Sequence, residues 1–137
     1  MWGIEITRKT SATKEQIWEL WSDVSNWNVW DKGVERSEIF GDFEVGTRGT
    51  LKPAVGPETK FKVTECEKFK SFTTRSFLPL CKMDFIHIMN ETKDGLEITH
   101  KVQMTGVLTF IFSKVIGKNV ASGLPGAVNA LVALAEK

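Results

Sequence analysis

Residues 81–105 read CKMDFIHIMNETKDGLEITHKVQMT, and their alternation decides the fold class. Met83, Phe85, His87 and Met89 share one parity, with Lys82 and Asp84 on the other. Beyond Asp94-Gly95, a strong two-residue hairpin signal, Leu96, Ile98, His100, Val102 and Met104 again share a parity. A period of two marks strands with one buried face. Setting Lys93 opposite Leu96 pairs Met89 with His100, His87 with Val102 and Phe85 with Met104. Both apolar rows then lie on one side of the sheet, whereas a slip of one residue would send one row to solvent. In this register His87 and His100 are diagonal neighbours on the inner face, about 7–8 Å apart.

Working outward towards the N-terminus, Phe72 to Phe77 forms another strand, ended by Pro79. Phe61, Val63 and Glu65 alternate against Lys60, Lys62 and Thr64, and Pro53 to Pro57 makes a break before them. Gly41-Asp42 and Gly46 punctuate the first strands of this run. Ahead of it, Thr13 with Gln16 fits a capping box, and Ala12 with Ile17 fits a hydrophobic staple. Ile17, Leu20, Trp21 and Val24 then recur at helical spacing. A second short helical piece carries Trp27 and Trp30 and ends near Gly33. Ile4, Ile6 and Arg8 alternate with Glu5 and Thr7 as a first strand.

Towards the C-terminus the period becomes helical. Phe112, Ile116, Val120, Leu124, Ala127, Leu131 and Leu134 run at spacings of three and four, an apolar stripe about 35 Å long. Pro125 sits inside it between Gly123 and Gly126, where it removes a backbone hydrogen bond and is expected to kink or break the helix. The predicted architecture is α+β: about seven antiparallel strands in a curved sheet, two short helices, and a long kinked C-terminal helix. All 137 residues are assigned to one domain.

Composition bounds the chemistry. A net charge of +1 gives no overall field for nucleic acid or an anionic membrane. Nine Phe and five Trp stand beside no Tyr, so any mechanism requiring a phenolic acid is excluded. Cys66 and Cys81 have neither CxxC spacing nor a dense framework around them. With no signal peptide or membrane span legible, a reduced, cytoplasmic protein is expected.

Several segments together carry a family resemblance: the helix Glu15 to Trp21, the Trp27-Asn28-Val29-Trp30-Asp31 segment, the Gly41 to Thr47 turn, and the strand Gly95 to His100. With the closing amphipathic helix, the chain resembles the polyketide cyclase/dehydrase and lipid-transport superfamily (SRPBCC), related to START domains and the birch pollen allergen. The resemblance implies a helix-grip fold, in which the sheet wraps around the long helix and leaves a cavity between them. The residues agree, because a Phe- and Met-rich sheet face meets an apolar helix stripe that also holds the small residues Gly117, Ala121, Gly123 and Gly126. Those small residues either leave room for a guest or let the helix approach the sheet closely.

The expected pocket lining is Trp27, Trp30, Phe72, Phe85, His87, Met89, Ile98, His100, Val102, Val120 and Leu124. His87 and His100 are the candidate catalytic residues, but no carboxylate pairs with either, and a ligand-orienting or core role is favoured. A metal site is rejected, since Cys81 lies about 20 Å along the strand from His87. No cofactor is expected. Glu65 shares the inward parity of Phe61 and Val63 but is read as a wet rim carboxylate. Arg75 is read as outward and solvated. Lys60, Lys62, Lys68, Lys70 and Lys82, interleaved with acids, read as a solvated face and not as a nucleic-acid footprint. Binding of a small hydrophobic molecule (a lipid, polyketide or isoprenoid-like compound) is the first functional expectation. A cyclase or dehydratase using a pocket histidine and a protein-interaction module of the co-chaperone kind are the alternatives.

Overall fold

The computed structural model describes residues 1–137. Strand β1 (Trp2–Thr10) leads into helix α1 (Lys14–Ser22) and a short 3-10 helix (Val24–Val29). Then come β2 (Val34–Ile39), β3 (Arg48–Pro53), β4 (Thr59–Glu67), β5 (Ser71–Leu78), β6 (Cys81–Thr92) and β7 (Gly95–Thr105). Helices α2 (Thr109–Val115) and α3 (Gly117–Ala135) close the chain. The seven strands form one antiparallel sheet in the order β1-β7-β6-β5-β4-β3-β2. Helix α3 packs along β1 and against α1 and α2. Architecture and strand number are as expected.

The helix start is also as read. Thr13 Oγ1 accepts from the Gln16 amide at 3.1 Å, and Gln16 Oε1 accepts from the Thr13 amide at 2.9 Å. Ala12 and Ile17 are both buried beside this cap. A box of this kind is worth about 1 kcal/mol.

Three expectations are corrected. The β6–β7 register is two residues from the expected one: Thr92 pairs with Gly95, Met89 with Ile98, His87 with His100, and Phe85 with Val102. A shift of two preserves which face each side chain takes, so burial cannot discriminate between the registers; the turn does. Lys93 and Asp94 form the two-residue loop, closed by Thr92 Oγ1, which donates to the Gly95 carbonyl at 2.9 Å and accepts from the Asp94 amide at 3.3 Å. Second, the terminal helix is interrupted at Ile116, whereas α3 runs through Pro125 without a break. Gly123 and Gly126 face open space beside the proline, so neither brings the helix close to the sheet. Gly117 does, with a ring carbon of Trp2 lying 3.1 Å from where its Cβ would be. Third, a bulge between Val63 and Glu65 resets the parity of β4. The inward parity given to Glu65 fails, while its reading as a wet carboxylate stands: it is exposed and accepts from Ser71 Oγ at 2.9 Å, and Cys66 takes the inward place against the core.

The core has two parts. A large cluster joins the α1 and 3-10 tryptophans to Phe61, Phe72, Met89, Leu96, Ile98 and the C-terminal half of α3, including Ala127, Val128 and Leu131. A smaller one, at the other end of the sheet, holds Cys81, Met83, Val102 and Met104. Gly49 is required where β2 and β4 meet β3, because any Cβ there would strike the Glu38 carbonyl and the Phe61 ring.

Candidate ligand-binding site

β6 and β7 are neighbours near the middle of the sheet, and their direct pairing places His87 opposite His100, ring centroids 4.4 Å apart. Both imidazoles are buried. His87 stacks on Phe72 at 4.0 Å with the planes 6° apart. His100 Nε2 accepts from Trp21 Nε1 at 3.2 Å, so that nitrogen carries no proton. Trp27 Nε1 in turn donates to the Trp21 carbonyl at 2.9 Å. Trp30 meets His100 edge-on at 5.8 Å, and Trp18, Phe43 and Phe72 extend the aromatic packing.

Electrostatics follow from that packing. Burial pushes His100 down to about 3. Burial first, and His100 second, hold His87 well below the ordinary imidazole range. The carbonyls of Phe72 and Phe85 pull the other way without offsetting this, and His87 Nδ1 has no hydrogen-bond partner. Two neutral imidazoles without a carboxylate have no stored proton to give. His100 positions Trp21, and His87 packs as a flat ring. Trp30 Nε1 is likewise buried without a partner.

Of the predicted lining, Trp27, Trp30, Phe72, Met89 and Ile98 join the large core cluster, with the histidines packed among them. Phe85, Val102, Val120 and Leu124 gather instead around the smaller cluster. The structure thus divides the predicted set between two ends of one face. Sequence reasoning omitted Phe112 and Ile116 from the lining, although they share the apolar stripe with Val120 and Leu124. It also omitted Trp2 and Ile4 of β1, which reach the same compartment. Thr74 and Ser76, buried on the inner face of β5, were missed because a strand with polar inward residues breaks the apolar signal.

The second end is less closed. Phe85 sits on a central strand between buried Thr74 and buried Val102, yet is itself only half-buried. Trp2, Ile4, Phe112, Ile116, Val120 and Leu124 around it are half-buried as well. An inward side chain in mid-sheet keeps accessible surface only where the layer above does not meet it. Two surface depressions lie elsewhere: one of about 270 Å³ beside Phe77, Leu80 and Lys82, and one of about 670 Å³ over Phe69, Ile86 and Ile88. On the outer face Arg75 grips Asp84 with both ends of its fork, at 2.7 and 3.1 Å. No three His, Cys, Asp or Glu side chains gather as metal ligands.

A seven-stranded antiparallel sheet folded over a C-terminal helix in this order recurs in solved structures along nearly the whole chain. The protein has the helix-grip fold. The helix-grip structures it resembles include the di-domain ARO/CYC StfQ from the steffimycin biosynthetic pathway, with a TM-score of 0.79 and 12% identity over 98% of this chain and 50% of that one. Ara h 8.0201 superposes with a TM-score of 0.74 and 12% identity over 98% and 97%. A truncated norcoclaurine synthase from Thalictrum flavum does so with a TM-score of 0.73 and 17% identity over 97% and 92%. These are SRPBCC, birch-pollen-allergen-like folds. No family model matches the sequence, and no curated protein matches it. At such identities the likeness fixes the helix-grip architecture and leaves the site to be argued from its residues.

Proposed function

We propose that the chain binds a small hydrophobic molecule between the concave face of the sheet and the α2–α3 segment, around Phe85, Val120 and Leu124. The observation that carries this reading is Phe85, half-buried in mid-sheet beneath helix residues that are half-buried themselves. Phe112, Ile116, Val120 and Leu124 give such a guest an apolar wall, and the Thr74 and Ser76 hydroxyls supply polar groups on the same face. A lipid, polyketide or isoprenoid-like compound has this chemistry, and a cytoplasmic setting, where Cys66 and Cys81 stay reduced, belongs to the same reading.

A thermal-shift panel of chemically diverse lipophiles, with native mass spectrometry of freshly purified protein, tests it. At least one lipophile stabilises the wild type, and Val120→Trp, which fills the space, abolishes that shift while His87→Gln keeps it. Absence of any stabilisation, or a shift indifferent to Val120→Trp, removes the reading.

A cyclase-type enzyme is the second reading, favoured by the imidazole pair at 4.4 Å and by the ARO/CYC and synthase names of two similar folds. Its requirement is that His87→Gln or His100→Gln lowers turnover of a bound polyketide-like substrate. Unchanged rates in both variants end it.

A further inference from the structure

The chain exposes a group of large apolar side chains at one end of the sheet that folding does not explain. Leu80 is 69% exposed, Val107 74% and Phe110 63%, with Phe77, Ile111 and Val115 also exposed. Register places them together. Leu78 pairs with Cys81 at the β5–β6 turn, Lys82 pairs with Thr105 at the end of β7, and the Leu108 amide donates to the Leu80 carbonyl at 3.1 Å. The β5–β6 turn and the β7–α2 loop are thereby laced into one rim, from which α2 projects.

Leu80 occupies this rim at φ 52°, a left-handed conformation that branched side chains rarely adopt. Glycine or asparagine would fit the turn with less strain. A leucine kept there and left in solvent points to a role outside the fold.

Charge says what the rim faces. Lys82, Lys114 and Lys118 are exposed beside the apolar side chains, and none of them is in an ion pair. No Asp or Glu occurs between Glu97 and Glu136. Of the carboxylates towards this end of the sheet, Asp84 is held by Arg75 at 2.7 Å and Glu35 and Glu58 by Arg36 at 3.0 and 3.6 Å, with Glu35 also 3.8 Å from Lys52; Glu5 on β1 is exposed and unpaired, a single charge against three lysines. The whole-chain charge of +1 conceals this local surplus. A twofold contact between copies would set this lysine-bearing patch against a second copy of itself, one surplus of positive charge facing another. No helix is long and apolar enough to cross a membrane, but apolar side chains ringed by lysine suit an interface.

We propose that this rim docks on an anionic lipid surface, with Leu80, Val107 and Phe110 inserted among the headgroups and Lys82, Lys114 and Lys118 against the phosphates. The half-buried residues Phe112 and Ile116 lie directly behind it, so a docked molecule turns the α2–α3 segment to the bilayer.

Flotation of the full chain with phosphatidylcholine vesicles, and with vesicles also containing phosphatidylserine, tests the proposal without any guest. Binding is expected to the second kind and to weaken with salt. Each lysine near such a surface counts about fivefold, so Lys114→Gln with Lys118→Gln weakens binding about 25-fold. Leu80→Asp with Phe110→Asp abolishes it, and Val45→Asp, exposed at the opposite end, leaves it unchanged. All the substituted side chains are exposed, and circular dichroism confirms that the variants fold. Equal binding to both vesicles, wild-type binding by the rim variants, or rim variants that instead dissolve a dimer or an acidic protein complex would overturn it. Because no guest is present, these outcomes are independent of ligand binding in the interior.

Discussion

Lowering the pH from about 7.5 to about 5 should cost this protein about 4 kcal/mol of stability, and two side chains should account for nearly all of it. His87 and His100 are both held below the ordinary imidazole value of 6.5, His100 to about 3. A base depressed in the folded state contributes its stability fully above the unfolded value. That contribution is lost as pH falls towards the folded value, because the unfolded chain takes the proton first. At about pH 5 each unfolded imidazole lies about 1.5 units below 6.5, which is worth about 2 kcal/mol at 1.36 kcal/mol per unit. The result depends only on both rings staying unprotonated in the folded state at that pH. Asp31 acts in the opposite sense, since burial raises its carboxyl, so variants supply the reference. Urea unfolding at both pH values is the assay, on wild type, His87→Leu, His100→Gln and the double variant. Glutamine keeps an acceptor for Trp21 Nε1. Each single variant should retain about half of the pH effect, and the double variant should show less than about 1 kcal/mol. A wild-type effect that small, or an undiminished one in the double variant, would refute the idea that these rings are buried and neutral.

Two smaller predictions concern backbone and space. Gly49→Ala places a Cβ against the Glu38 carbonyl and 2.5 Å from the Phe61 ring; it should destabilise by about 2–4 kcal/mol in chemical denaturation, and a neutral result would mean that β3 can shift. Gly123→Ala and Gly126→Ala, whose added methyls meet nothing, should each stabilise α3 by about 0.5–1 kcal/mol, read as a higher melting temperature.

How far the fold was legible follows from which physical signals repeat. Parity repeats, so the inward faces of β6 and β7 could be read directly, and with them the burial of both histidines. Absolute register does not repeat: the two-residue difference preserves both apolar rows and turned on Thr92 closing a Lys93-Asp94 loop. That difference changed a diagonal histidine pair into a direct one. The β4 bulge left a trace, because Phe61, Val63 and Cys66 fall out of step after Val63; extending the alternation through it gave Glu65 an inward parity, and only the cost of burying a lone charge kept it read as wet. Pro125 marks a lost hydrogen bond, yet α3 runs through it, and the interruption falls at Ile116, just before Gly117 fits against Trp2. The candidate site was half legible. Its helix wall follows from the stripe, whereas Thr74 and Ser76 carry no apolar signal.

The distribution of tryptophan bears on where a guest fits. Trp18, Trp21, Trp27 and Trp30 come from adjacent short helices and fill one end of the concave face, against Phe61, Phe72 and the histidines. A guest there would have to displace rings whose truncation ordinarily costs about 3–5 kcal/mol each. At the other end only Trp2 is available, spent against Gly117, and above the buried Met83, Val102 and Met104 the residues Phe85, Val120 and Leu124 stay half-buried. Aromatic bulk is thus concentrated at one end, and the exposed apolar rim lies at the other. A hydrophobic guest entering from water would have to cross the rim unaided. Entering from a bilayer, it would leave one apolar environment for another, with α2 as the only short element between them.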